Sequence, residues 1–101
     1  MKRTDNAEDL KHIIPEKGMV IVDFFATWCK PCKRMDVTLA QLEEDMPDII
    51  IVKVDVDQAG DIAADHKIRS MPTLVLYEDG VQTKKWEGNQ DIDEIRKWIM
   101  E

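Results

Sequence analysis

Nothing in this chain approaches the eighteen or more uninterrupted apolar residues that a membrane-spanning helix requires. The opening Met1-Lys2-Arg3-Thr4-Asp5-Asn6 leads into no apolar core either, because Glu8, Asp9, Lys11 and His12 interrupt the run. A secretion signal is therefore not expected, and a soluble, cytoplasmic protein is. Positive charge is also scarce: 14 Lys and Arg stand against 21 Asp and Glu, a formal net charge of -7. Such a surface repels phosphate backbones and anionic lipid headgroups, which argues against nucleic acid and membrane as partners. Cysteine is scarcer still. Two cysteines three positions apart cannot cross-link a small secreted fold as four or six would, and in a reducing compartment such a pair is more often catalytic or metal-binding. Internal repeats and low-complexity tracts are absent, and a chain of 101 residues has room for one hydrophobic core, so we read 1–101 as a single domain.

What the sequence does contain is an alternation of helical and extended patterns. Ala7, Leu10, Ile13 and Ile14 have helical spacing, with Asp5 or Asn6 as N-cap and Pro15 and Gly18 as breakers. Met19 to Ala26 is a continuous apolar run rich in β-branched residues and too short for a stand-alone helix, which predicts a central strand buried on both faces. From Pro31 the period is helical again, with Met35, Leu39, Leu42 and Met46 on one stripe and Pro47 closing it. Ile49 to Val56 predicts a second strand, Gln58 to His66 a short helix, Thr73 to Tyr77 and Val81 to Trp86 two more strands joined by a turn at Glu78-Asp79-Gly80, and Asp91 to Met100 a final helix. On that last helix Ile92, Ile95, Trp98 and Ile99 face inward, whereas His12 and His66 read as solvated helix residues. This order implies parallel crossovers followed by one antiparallel hairpin: an α/β fold, a three-layer α/β/α sandwich on a mixed central sheet.

The chemistry concentrates in Trp28-Cys29-Lys30-Pro31-Cys32-Lys33, where a buried strand hands over to a helix. Open α/β sheets place their sites at that end of their strands. Cys29 falls at or just before the helix N-terminus, where free N–H groups and the positive end of the helix dipole favour a thiolate, so it is the expected nucleophile. Cys32 follows one turn later on the same face, within reach of a disulfide and deeper in the helix, and is the expected resolving thiol.

At this point the chain resembles the thioredoxin family, over a stretch that runs from about Met19 to the C-terminus. The family pattern Trp-Cys-Gly-Pro-Cys-Lys after a strand ending Val-Asp-Phe reads here as Val22-Asp23-Phe24-Phe25-Ala26-Thr27-Trp28-Cys29-Lys30-Pro31-Cys32-Lys33. Lys53-Val54-Asp55-Val56-Asp57 is similar to a further strand segment, Met71-Pro72-Thr73-Leu74 to the cis-proline loop, and Gly80 and Gly88 to two late glycines. The resemblance implies a thioredoxin-like fold and a protein-disulfide reductase or electron carrier acting by dithiol–disulfide exchange. It implies no bound cofactor: the redox-active disulfide Cys29–Cys32 receives electrons from NADPH through thioredoxin reductase and passes them to disulfide-containing client proteins. A monomer is the expected state. Catalytic roles are implied for Cys29, Cys32, Asp23 and Lys53. Asp23 interrupts an apolar strand, so desolvation raises its pKa and suits it to exchange a proton with Cys32, while Lys53, on an adjacent strand, is placed to pair with it. Substrate contacts are implied for Trp28, Lys30, Pro31, Met71, Pro72 and Gly88, with a cis Pro72 leaving the Met71 backbone free to pair with an extended client segment.

Several positions depart from the family pattern. Lys30 replaces the glycine between the cysteines and brings a cation near the Cys29 thiolate, which predicts a more oxidising couple. Val37, Ser70 and Phe25 also depart, with no part expected in the thiol chemistry. Lys30, Lys33 and Arg34 form a basic cluster on an otherwise acidic protein, either an ordinary charged helix face or a selector of acidic partner surfaces. Other readings of the pair need more than the sequence offers. A zinc site requires two further ligands, for which only His12 and His66 are available without paired spacing. A structural disulfide closing so short a loop stabilises little. The alternative function is a docking or accessory subunit that uses the same surface and for which redox cycling is incidental.

Overall fold

The computed structural model describes residues 1–14 and 17–101; Pro15, read above as a breaker of the first helix, lies outside them. The elements in chain order are β1 (Lys2–Arg3), α1 (Ala7–Ile13), β2 (Met19–Phe25), α2 (Lys30–Asp45), β3 (Ile50–Asp55), α3 (Gly60–Asp65), β4 (Thr73–Glu78), β5 (Val81–Glu87) and α4 (Ile92–Met100). They form one five-stranded mixed sheet in the order β1-β3-β2-β4-β5. α1 and α3 cover one face and α2 and α4 the other, which is the three-layer arrangement expected from the alternation of patterns.

Alternation along β2 explains both the layers and the place of the site. Val20, Val22 and Phe24 join Leu10 of α1 and Ile62 of α3 in one core. Ile21 joins Met35, Leu39 and Leu42 of α2 and Ile95, Trp98 and Ile99 of α4 in the other. Because successive side chains point to opposite faces, Asp23 lies on the α2 side, between Ile21 and Phe25. Phe25 in turn packs with Ala26, Cys29 and Cys32.

Local chemistry sets the helix starts. Asn6 Oδ1 accepts the N–H groups of Glu8 and Asp9 at 2.8 and 3.2 Å. Asp91 and Glu94 form a reciprocal capping box, the Glu94 N–H donating to Asp91 Oδ1 at 2.8 Å and the Asp91 N–H to Glu94 Oε1 at 3.2 Å. The β4–β5 hairpin turns through Asp79 and Gly80, with φ of 54° and 85°, the left-handed pair that a two-residue hairpin loop requires.

Three features differ from the sequence reading. The first is β1, an edge strand of two exposed charged residues paired parallel to β3 (Lys2 opposite Val52, Arg3 opposite Lys53). It carries no apolar alternation to reveal it, and charge at a sheet edge discourages pairing with other chains. The second is the direction of β4, which runs antiparallel to β2 rather than completing a second parallel crossover. A six-residue helix such as α3 rises only about 9 Å, less than half the roughly 20 Å of a six-residue strand, so the chain re-enters the sheet at the end where it left. The third is His66, which is half-buried rather than solvated: its Nδ1 bonds to Ile62 O at 2.9 Å, its Nε2 to the Tyr77 hydroxyl at 2.7 Å, and its ring lies 5.1 Å from that of Phe24. Burial pushes the Tyr77 hydroxyl pKa up.

Candidate functional site

Cys29 is the N-cap residue of α2 and has extended backbone (φ -88°, ψ 110°). Its Sγ accepts the N–H of Cys32 at 3.2 Å. A helix start is where backbone donors lack intrahelical acceptors, so the sulfur sits where negative charge is best stabilised. Cys32 is in the first turn, and the two are joined as a disulfide with Cα atoms 5.3 Å apart. Cys29 is 5% exposed and Cys32 2%, so an incoming group meets Cys29 first. Pro31 occupies the second helical position rather than the first, since α2 begins at Lys30; its missing N–H still belongs to the turn whose donors have no helical acceptor.

The surface around the sulfurs comes from four loops. Trp28 is 67% exposed and is held by its indole N–H, which donates to Asp57 Oδ2 at 2.9 Å. Asp57 is itself held by its own N–H to Asp55 Oδ1 at 2.9 Å, and Asp55 pairs with Arg3 of the edge strand at 3.4 Å. The Met71–Pro72 bond is cis, and Met71 O lies 3.7 Å from Cys29 Sγ. Gly88 donates its N–H to Pro72 O at 2.8 Å and has φ +95°, a conformation that favours glycine. Trp28, Lys30, Pro31, Met71, Pro72 and Gly88 thus lie on or beside one rim, with Lys30, Lys33 and Arg34 exposed along the start of α2.

Beneath the rim is a partly buried charge cluster. Asp23 is fully buried, and neither carboxyl oxygen has a hydrogen-bond partner. Its pKa is pushed up to about 7, first by burial and then by the neighbouring carboxylate of Asp36, against the opposing pull of Lys53. Asp23 and Lys53 stand opposite each other in the parallel β2–β3 register. The ammonium nevertheless goes elsewhere: Lys53 Nζ lies 2.8 Å from Asp36 Oδ1 and 4.3 Å from the centre of the Phe25 ring. The Asp36 oxygen makes this contact as a close charge pair and not as an aligned hydrogen bond. Sequence reasoning therefore placed Asp23 and Lys53 in one neighbourhood but gave Lys53 the wrong partner and missed Asp36. The available signal was spacing: Asp36 follows Cys32 by four residues, one turn on along the same helix face. Among the described residues no group of three or more His, Cys, Asp or Glu is arranged to hold a metal, and no helix is long and apolar enough to cross a membrane.

A protein-family model described as Thioredoxin matches residues 2–101. A thioredoxin of Mycoplasmoides gallisepticum is 36% identical over 99 residues, covering 98% of this chain and 99% of that protein. Thioredoxin-2 of Pyricularia oryzae is 44% identical over 83 residues, 82% of this chain but only 48% of the longer relative. Among solved structures, Fasciola hepatica thioredoxin superposes with a TM-score of 0.91 at 34% identity, covering 99% of this chain and 97% of that one. The oxidised form of mitochondrial thioredoxin 3 from Saccharomyces cerevisiae gives 0.90 at 35% identity, covering 99% and 93%.

Proposed function

This chain belongs to the thioredoxin family, as a thiol–disulfide oxidoreductase with a redox-active cysteine pair, and from that premise we propose that it reduces protein disulfides with Cys29 as nucleophile and Cys32 as resolving thiol. The observation that carries the assignment of roles is the capping geometry: the Cys29 sulfur receives the Cys32 N–H at 3.2 Å at the start of α2, and Cys32 lies deeper.

In the reduced protein the Cys29 thiolate attacks a client disulfide, forms a Cys29–client mixed disulfide and expels one client sulfur as a thiolate. Asp23 takes the proton of Cys32, whose thiolate then attacks Cys29 Sγ, breaks the mixed disulfide and releases the second client sulfur. Two electrons pass to the client, and the Cys29–Cys32 disulfide remains. A base whose pKa is near 7 suits a step in which a proton is taken and later returned at neutral pH. Met71 offers its backbone beside the nucleophile, and Trp28, Pro31, Pro72 and Gly88 provide the rim on which an extended client segment lies. Lys30, Lys33 and Arg34 favour clients with acidic flanks.

The cycle closes with electrons from NADPH through thioredoxin reductase, with no cofactor bound to this chain, which acts as a single-domain monomer. A couple made of the chain's two cysteines suits a reducing compartment, and we place the protein in the cytoplasm. The test is reduction of insulin disulfides with NADPH and thioredoxin reductase. Turnover is expected for the parent and none for Cys29→Ser, while Cys32→Ser accumulates a client mixed disulfide. Parent-like support of a partner's activity by the doubly substituted Cys29→Ser/Cys32→Ser chain, without turnover by the parent, would instead establish a docking subunit.

A further inference from the structure

Lys53 is aligned with Asp23 by the sheet yet held by a residue on the helix that carries both cysteines. Asp23 and Lys53 are register partners on β2 and β3, both Asp23 oxygens are buried and unpartnered, and Lys53 Nζ sits 2.8 Å from Asp36 Oδ1. The Lys53 side chain is 18% exposed and that of Asp36 37%, so the pair is partly shielded from solvent screening. On α2, Asp36 follows Cys32 by four residues, and the two share the stripe that looks onto the sheet.

We propose that Asp36 is a positioning residue for the proton step: by holding Lys53 it keeps the ammonium off Asp23, and Asp23 stays basic enough to take the Cys32 proton near neutral pH. A cation stabilises the ionised form of the carboxylate it approaches, and a second carboxylate nearby disfavours it. Asp36 supplies both effects at once, by its own charge and by its hold on Lys53. The opposing directions at Asp23 agree, since Asp36 raises its pKa by more than Lys53 lowers it. Among the described residues, the other groups on this face do not compete. From the edge strand Arg3 is paired with Asp55 of β3. α2 contributes Cys32 besides Asp36, while β4 contributes Leu74 and Leu76, β5 Trp86, and α4 Ile95, Trp98 and Ile99, none of them charged; the charged Lys84 of β5, opposite Leu76, is turned to the end of α4, where its Nζ donates to Trp98 O at 2.7 Å and Ile99 O at 3.3 Å. Without Asp36, Lys53 is free to turn to Asp23, whose carboxylate then becomes a weaker base toward the Cys32 thiol.

This inference rests on the reading that Asp23 accepts the Cys32 proton, and two readouts separate the claims. The first is the titration midpoint of Asp23, followed by carboxyl carbon NMR in the oxidised full chain, in which no thiol titrates. Asp36→Ala is expected to lower the midpoint by about one pH unit or more, at least a tenfold change in acid dissociation. Asp36→Glu restores the parent midpoint. On a Lys53→Met background the same Asp36→Ala substitution moves it less than half as far. An unchanged or raised midpoint in Asp36→Ala overturns the proposal, and so does an equal fall with and without Lys53, because Asp36 would then act by its own charge alone. Should Asp36→Ala fail to fold, the isosteric Asp36→Asn reads the same quantity. The second readout is the pH profile of mixed-disulfide resolution. A profile that ignores the Asp23 midpoint in every variant defeats the proton role of Asp23 and leaves the titration result standing.

Discussion

Asp23 is the side chain at which stability and function conflict most directly. A carboxyl with no hydrogen-bond partner inside a strand is costly to ionise, and its native pKa near 7 stands well above the value of about 3.9 for an unfolded aspartate. The folded state therefore binds the extra proton between those two values. The resulting stability is fully present below about pH 4 and is lost as pH rises through 7. Asp23→Asn, which mimics the neutral acid, is expected to raise unfolding free energy at pH 8 by on the order of 3 to 4 kcal/mol and to leave it nearly unchanged at pH 4. Denaturant titration at the two pH values checks this, and stopped-flow kinetics should show slower mixed-disulfide resolution in the same variant. Lys30 sits at the first helical position, next in sequence to Cys29, where its cation would favour the Cys29 thiolate of the reduced protein. Stabilising that thiolate stabilises the reduced form, so Lys30→Gly is expected to lower the reduction potential by roughly 10 to 30 mV; equilibration with glutathione reads it, and no fall would mean that Lys30 does not tune the couple. Asp23 and Lys53 were legible because polar residues stood out in apolar strands. Asp36 was not, since an aspartate on an amphipathic helix looks like any solvated position until the sheet brings Lys53 to it.

Helix starts do much of the work in this fold. At α2 the cap is the reacting sulfur itself, so the same backbone donors that need a partner at any helix start stabilise the thiolate. At α4 the cap is structural: the Asp91–Glu94 box orders the helix that closes one core through Ile95, Trp98 and Ile99. Asp91→Ala is expected to cost about 1 kcal/mol, which for a chain of this size lowers Tm by roughly 4 to 8 °C, with the potential of the cysteine pair unchanged; calorimetry and redox titration together check both halves. The strand and helix positions followed from apolar periodicity, which is strong wherever an element is buried on one or both faces. β1 escaped because two charged residues at an edge carry no periodic signal. The direction of β4 escaped because it depends on how far a short helix carries the chain, a property of length in space and not of pattern.

Across the whole molecule, the sheet gathers residues far apart in sequence onto one end of the structure. β2 runs into Trp28 and Cys29, β3 ends at Asp55 and leads to Asp57, and the loop before β4 places Met71 against the sulfur, while β5 leads into Gly88, tied to Pro72. The resulting site is a rim around a nearly buried sulfur. The acidic bulk of the chain, net -7, leaves Lys30, Lys33 and Arg34 as a local exception beside it. Substituting all three with glutamate is expected to slow association with acidic clients at low salt and to leave the rate with neutral peptides within about twofold. Electron delivery from the Cys29–Cys32 couple is what this surface serves. It is tested most directly by equilibrating the full chain with glutathione or dithiothreitol buffers and counting free thiols by alkylation. A single two-electron transition is expected at or below about -240 mV, within the cytosolic glutathione range. A transition far above that value, or none at all, would contradict it.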